Sequence, residues 1–178
     1  AEGFGAEFTP ELRRQEAGIR AQALGLGALR FEHRREMLIA GLNQSYTFEN
    51  RSKIPLQWEK FIPQIGKVPG QAGKVAYGVC WNNRPGHGFD YLTGVEVTDC
   101  AKLPPELATV SLPGQEYAVL THSDHVSAIG TTIDKIWNGW VRQSGLKVKE
   151  SPWFERYNEE FNPQTGMGGM EFWIPISR

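Results

Sequence analysis

A short segment of this sequence places one carboxylate between two aromatic side chains. Residues 153–157 read Trp-Phe-Glu-Arg-Tyr. Alternate side chains of a β-strand point to the same side, so Trp153, Glu155 and Tyr157 would share one face. The carboxylate supplies negative charge, and each ring can add ~0.5–2 kcal/mol of cation–π attraction. The pattern indicates a site for an organic cation, although a solvated glutamate whose aromatic neighbours cover another element fits the same residues equally well.

The aromatic content of the chain also favours a pocket. Six of its 178 residues are tryptophan, beside five tyrosines and nine phenylalanines. Six tryptophans are more than a core of this size needs, so we expect some of them to line a cavity. Trp137 and Trp140 recur at helical spacing, which favours core packing instead. The predicted ligand-binding residues are Glu155, Trp153, Tyr157, Tyr91, Trp81 and Trp173.

Other residues with reactive side chains give weaker patterns. His122, Asp124 and His125 could suggest a metal site or an acid–base pair, but their spacing favours a capping loop at a helix start. Cys80 and Cys100 are too few for a secreted disulfide framework, and we interpret both as reduced thiols of a cytoplasmic protein. The sequence contains no recognisable phosphate loop or nucleophile elbow. We therefore predict no metal, no cofactor and no catalytic residue.

The overall charge and hydropathy exclude several classes of partner. The net charge is -1, with 40% hydrophobic and 22% charged residues, as in an ordinary globular domain rather than a disordered chain. A nucleic-acid-binding protein usually carries a basic surface, so direct binding to nucleic acid is not expected. No run approaches the ~18 apolar residues of a membrane-spanning helix, and no membrane association is expected.

The first 29 residues form a separate segment. Thr9, Pro10 and Glu11 provide an N-cap, a first-turn proline and an acidic residue in the first turn, which predict the start of a helix that ends near Gly25. We interpret residues 1–29 as a helical extension and residues 30–178 as the main domain. The extension could be an appended arm, a helix that forms a homodimer, or a partly tag-like and mobile segment.

Within the main domain the same order of elements occurs twice. Residues 30–100 and 112–178 each predict a strand, a helix and a β-hairpin, with Trp58 and Trp137 at matching helical positions. Trp81 and Tyr91 lie on the first hairpin, which corresponds to the strands that carry Glu155, so we expect them to face a shared pocket. Two such units side by side predict an α+β fold, with an antiparallel sheet and both helices on one face.

Several of these segments together resemble the GyrI-like domain, the effector-binding module of AraC-type and multidrug-sensing regulators. The segments that carry the resemblance are residues 37–41, 117–122, 137–145, 152–157 and 170–176. The resemblance implies a duplicated α+β fold with a ligand pocket between the halves, in which Glu155 meets the positive charge of the ligand. Asp124 departs from the small residue common in this family. The 36 residues before Met37 are expected to be too short for a helix-turn-helix.

The predicted function is binding of amphipathic, cationic or aromatic small molecules by a stand-alone sensor or sequestering module. Two alternatives remain. Glu155 with Tyr157 or Tyr91 could position a water molecule to hydrolyse a strained electrophile, as some members of the family do. The chain could also act on a protein partner, as in gyrase inhibition, which would require an exposed complementary patch instead of a deep pocket.

Overall fold

The computed structural model describes residues 9–177. Its helices are α1 (Pro10–Ala23), α2 (Ile54–Phe61) and α3 (Ile129–Lys135), and α3 continues as a π-helix (Ile136–Trp140) and a short α4 (Val141–Gln143). Its strands are β1 (Leu29–Arg34), β2 (Met37–Tyr46), β3 (Gln71–Arg84), β4 (Gly88–Val97), β5 (Ala108–Leu112), β6 (Gln115–His122), β7 (Lys147–Val148), β8 (Trp153–Tyr157) and β9 (Met170–Ser177).

Helix α1 begins and ends where its sequence predicts. The Thr9 hydroxyl accepts a hydrogen bond from the Leu12 amide at 3.2 Å, and Pro10 occupies the first turn, where no amide is needed. Leu24 caps the C-terminus, and Gly25 follows with φ of 77°, a backbone conformation that glycine adopts without strain.

The strands form one antiparallel sheet that joins the two repeated units. The strand order is β1-β6-β9-β8-β3-β4-β2-β5, with β7 added beside β9. The units β2-α2-β3-β4 and β6-α3-β8-β9 meet where β3 pairs with β8. Each edge is completed by a strand from the other part of the chain, because β1 pairs with β6 and β5 pairs with β2. The predicted α+β class and antiparallel sheet are confirmed.

The helices cover one face of this sheet, also as predicted. Buried residues of α1, α2 and the π-helix, among them Ala17, Phe61 and Trp140, belong to two hydrophobic clusters on that face. The buried residues of a third cluster on the opposite face all come from strands, and they include Tyr77, Tyr117 and Trp173. Because no helix contributes buried residues to this third cluster, the sheet itself has to shield it from water.

Two short connections curl the sheet. Strands β1 and β2 stand six positions apart in the strand order, about 29 Å in a flat sheet. Only residues 35–36 link them, however, and three residue steps span at most about 11 Å. Residues 113–114 link β5 to β6 in the same way. The ends of the sheet must therefore approach each other, which buries the strand-only cluster inside the curl.

Helices of the described residues are too short or too polar to cross a membrane.

Candidate ligand-binding site

Glu155 lies at the junction between the two repeated units. It is on β8, directly opposite Gly78 of β3, on the face that the helices cover, and only 4% of it is exposed. A Cβ atom on Gly78 would lie 2.1 Å from the Tyr91 hydroxyl oxygen and 2.5 Å from Glu155 Oε1. The missing side chain of Gly78 thus provides the space in which the carboxylate and the tyrosine meet.

Two tyrosines and a tryptophan form a hydrogen-bonded chain at the carboxylate. The Tyr91 hydroxyl donates a short hydrogen bond to Glu155 Oε1, and the Tyr157 hydroxyl donates to the same oxygen at 3.3 Å. Trp58 on α2 donates from Nε1 to the Tyr91 hydroxyl at 3.0 Å. Both tyrosines use Oε1, so neither of these hydrogen bonds engages Oε2.

Aromatic rings flank Glu155 on both sides along β8. On one side the Trp58 and Tyr157 rings lie edge to face at 5.1 Å between centroids. On the other side Trp137 of the π-helix packs against Trp153 at 5.5 Å. Each pair therefore joins one ring from β8 to one ring from a helix, and the carboxylate lies between the two pairs.

The Gln57 side chain holds the backbone of Tyr91 in place through a hydrogen bond. Its side-chain amide donates to the Tyr91 carbonyl at 3.0 Å and to the Leu42 carbonyl at 2.8 Å. Its Oε1 accepts from the Tyr46 hydroxyl at 2.6 Å. The Gln57 side chain is buried and its polar atoms are bonded, so it supports the strand that carries Tyr91.

The structure brings together only part of the predicted site. Trp153, Tyr157 and Tyr91 surround Glu155, whereas Trp81 and Trp173 lie on the opposite face of the sheet. Trp173 is fully buried and stacks on Phe154 at 5.5 Å with an interplanar angle of 13°. Its neighbour Phe172, which pairs with Glu155 across β8 and β9, is the aromatic residue on the Glu155 face.

Five residues at the site were absent from the predicted ligand-binding set, namely Gln57, Trp58, Gly78, Trp137 and Phe172. Trp58 had a usable signal, because it matches Trp137 in the repeat and both helices face the junction. Gly78 and Gln57 had none, since their roles depend on which side chains the sheet brings opposite them.

Burial controls the protonation of this site. Burial raises the pKa of Glu155 from 4.5 to about 7, although the hydrogen bonds from Tyr91 and Tyr157 act in the opposite direction. Burial, with the nearby carboxylate, raises the pKa of both tyrosines well above the ordinary value. Within residues 9–177 no basic side chain forms an ion pair with Glu155. The carboxyl group therefore titrates near neutral pH, and the described residues provide no counter-charge for its ionised form.

This pKa predicts a pH dependence of stability. Because the folded-state pKa lies above 4.5, the folded protein binds the proton more tightly, and this stabilising contribution is complete at acidic pH and lost as the pH rises through about 7. The free energy of unfolding of wild type minus that of Glu155→Gln should fall by about 3 kcal/mol between acidic and mildly alkaline pH. Chemical denaturation of both proteins across this range measures the difference. A constant difference would show that Glu155 titrates as an exposed carboxyl.

The histidine-containing loop caps a helix. His125, rather than Asp124, is the N-cap residue, and its Nδ1 accepts a hydrogen bond from the Ser127 amide at 3.0 Å. Asp124 accepts from the His125 amide at 2.8 Å. Among the residues that the structure describes, no three His, Cys, Asp or Glu side chains group as a metal site would require.

The duplicated unit and its antiparallel sheet are shared with a known class of small-molecule-binding domains. A profile of the GyrI-like small molecule binding domain matches residues 28–177, and the chain belongs to this family.

Individual relatives agree with this assignment. The transcriptional regulator BrlR of Pseudomonas aeruginosa is 31% identical over 121 residues. The match covers 67% of this chain and 44% of BrlR, so this chain corresponds to less than half of that regulator. SAV2435 bound to tetraphenylphosphonium has the same fold, with a TM-score of 0.68 at 17% identity, over 84% of this chain and 93% of SAV2435. The C-terminal domain of EcmrR gives a TM-score of 0.60 at 14% identity, over 84% of this chain and 97% of that domain.

Proposed function

We propose that this chain binds amphipathic organic cations at Glu155 and acts as a sensor or sequestering module without catalysis. One observation carries the proposal: a buried carboxylate that has no basic partner among residues 9–177 lies between two aromatic pairs. A buried carboxylate is costly unless a positive charge accompanies it. A cationic ligand would supply that charge in place of the proton, and its apolar groups would contact the rings.

Binding would require the aromatic pairs to separate. Tyr91 and Tyr157 are 1% and 9% exposed, and Trp58 covers the junction through its contacts with both. A ligand that reaches Glu155 therefore has to displace at least one ring. Flat or multi-ring cations suit this site because they can replace the ring contacts that are lost.

Two relatives support this ligand class and a regulatory role. SAV2435, which shares the fold, has been solved with tetraphenylphosphonium, a lipophilic cation. BrlR is a transcriptional regulator. We propose that this chain likewise serves as the effector-binding part of a regulatory response, in a reducing compartment such as the cytoplasm where Cys80 and Cys100 stay free.

A fluorescence titration tests the proposal. Trp58, Trp137 and Trp153 line the site, so rhodamine-type cations should quench intrinsic fluorescence saturably, with dissociation constants of about micromolar order, or roughly -8 kcal/mol. Trp58→Phe should remove part of the quenching. Trp81→Phe, on the opposite face of the sheet, is the matched control and should retain the quenching per bound dye. Absence of saturable quenching by any lipophilic cation would contradict the proposal.

The second candidate function is hydrolysis. The observation that favours it is a carboxyl group with a pKa of about 7 that accepts hydrogen bonds from two tyrosine hydroxyls. Such a group can take a proton from water at neutral pH while the water oxygen attacks an electrophilic carbon, and a tyrosine can protonate the leaving atom. Glu155→Gln would then abolish turnover while substrate binding changes little.

A further inference from the structure

The two helices that flank the candidate site, α2 and α3, are held in place to different degrees. In α2, Phe61 is fully buried, and the buried side chain of Gln57 donates hydrogen bonds to two strand carbonyls. None of the residues of α3 is buried, since Ile129 and Ile133 pack only partly against the core. Gly130 also weakens α3, because glycine is a poor helix former. Helix α2 is therefore fixed to the sheet, whereas α3 can move at a lower cost.

The two aromatic pairs of the site differ in the same way. Trp58 donates a hydrogen bond to the Tyr91 hydroxyl, and its ring packs on the buried ring of Tyr157. Trp137 and Trp153 are both partly buried, and among residues 9–177 their indole nitrogens form no hydrogen bond. Neither nitrogen is buried without a partner, so both reach water. Separating Trp137 from Trp153 thus breaks no hydrogen bond, whereas moving Trp58 breaks one.

The strand beneath the site is more open at one end than at the other. Cys80 lies on the same face of β3 as Gly78 and directly opposite Trp153 of β8, and it is partly exposed. Ala76 lies at the other end, opposite Tyr157, and these two residues are only 8% and 9% exposed. A molecule from solution therefore reaches the site most directly at its Cys80 end.

We propose that a cation enters the site at its Cys80 end by separating Trp137 from Trp153, while α3 moves and α2 stays in place. This inference rests on the proposed function and adds the residue that controls entry, Trp137. The π-helix that carries Trp137 agrees with this role, because such wide turns occur frequently at functional sites. An ion pair between Arg51 and Asp134, at 3.5 Å, joins the start of α2 to α3, but both side chains are partly exposed and the pair opposes the movement weakly.

Matched tryptophan variants of the full chain test which pair opens. Stopped-flow mixing with rhodamine 6G, followed by the anisotropy of the dye, measures the association and dissociation rate constants separately. Trp137→Ala should raise the association rate constant about tenfold, because no ring has to be displaced before the dye binds. Trp58→Ala should act mainly on dissociation and change the association rate constant less than about threefold. Trp137→Phe keeps a smaller ring and should give an intermediate rate, and circular dichroism checks that each variant is folded.

The Cys80 thiol reports whether the cation occupies this end of the site. In the Cys100→Ser variant, Cys80 is the one cysteine of the chain. Tetraphenylphosphonium at ten times its dissociation constant should slow alkylation of Cys80 by N-ethylmaleimide about tenfold, since only the free protein reacts. The Cys80→Ser variant is the control, because its remaining thiol, Cys100, is exposed and should react at the same rate with and without the cation. Mass spectrometry measures both rates.

The results separate this inference from the proposed function. The inference fails if bound tetraphenylphosphonium leaves the alkylation of Cys80 unchanged, or if Trp137→Ala does not speed association. It also fails if Trp58→Ala speeds association as much as Trp137→Ala, because α2 would then be the helix that opens. Each of these results is compatible with saturable quenching in the fluorescence titration, so the proposed function would stand. Absence of such quenching would remove the proposed function and this inference with it.

Discussion

Glu155→Gln is expected to lower affinity for organic cations by ~1–3 kcal/mol, about tenfold to a hundredfold, while neutral ligands of similar shape bind as before. Glutamine keeps the size of the side chain and can still accept a hydrogen bond from Tyr91, but it removes the negative charge. Calorimetric titration with tetraphenylphosphonium and with neutral triphenylphosphine oxide measures the two affinities at a pH above 7, where Glu155 is ionised.

The neutral ligand shows whether a loss of affinity comes from the lost charge of Glu155 or from a changed shape of the site. Equal losses for both ligands would mean that glutamine had only damaged the site. An unchanged affinity for the cation would mean that Glu155 does not face the ligand, which would contradict the proposed function. Glu171→Gln is not a suitable control, because this carboxylate supports Arg30 and Arg156 through ion pairs. Glu159→Gln is suitable, since Glu159 is exposed.

Gly78→Ala is expected to destabilise the fold by ~1–3 kcal/mol and to weaken cation binding at least tenfold. The new methyl group would overlap the Tyr91 hydroxyl and the Glu155 carboxylate. Tyr91 cannot move aside freely, because Trp58 bonds its hydroxyl and Gln57 bonds its carbonyl. Chemical denaturation measures the loss of stability, and titration with tetraphenylphosphonium measures the loss of binding.

Two further variants identify the cause of the loss. Gly130→Ala, on α3, meets nothing within 4 Å and should leave stability unchanged or raise it slightly, since alanine favours a helix. Adding Tyr91→Phe to Gly78→Ala removes the atom closest to the new methyl group and should recover part of the lost stability. If Gly78→Ala alone has the stability and cation affinity of wild type, the Tyr91 hydroxyl does not lie as close to Gly78 as the structure places it.

Local patterns in the sequence predicted the elements well. The cap at Thr9, the helix through Trp58 and the strand from Trp153 to Tyr157 all depend on neighbours within a few residues, and all are present. The π-helix at Ile136–Trp140 was not predicted. Apolar residues at helical spacing indicate a helix, but they do not distinguish an α-helix from a π-helix, whose hydrogen bonds connect residues five positions apart.

The alternation of side chains along β8 was determined by the sequence alone, because successive residues of a strand must point to opposite faces. This is why Trp153, Glu155 and Tyr157 share a face. Which aromatic residues of the other strands join them was decided only by the tertiary structure. A shift of one residue in register would exchange Phe172 and Trp173, so neither could be assigned from its own strand. Tyr91 reaches Glu155 from 64 residues away only because β3 lies between their strands and has a glycine at position 78. Alternation is a local property of the backbone, whereas register depends on pairing between distant segments.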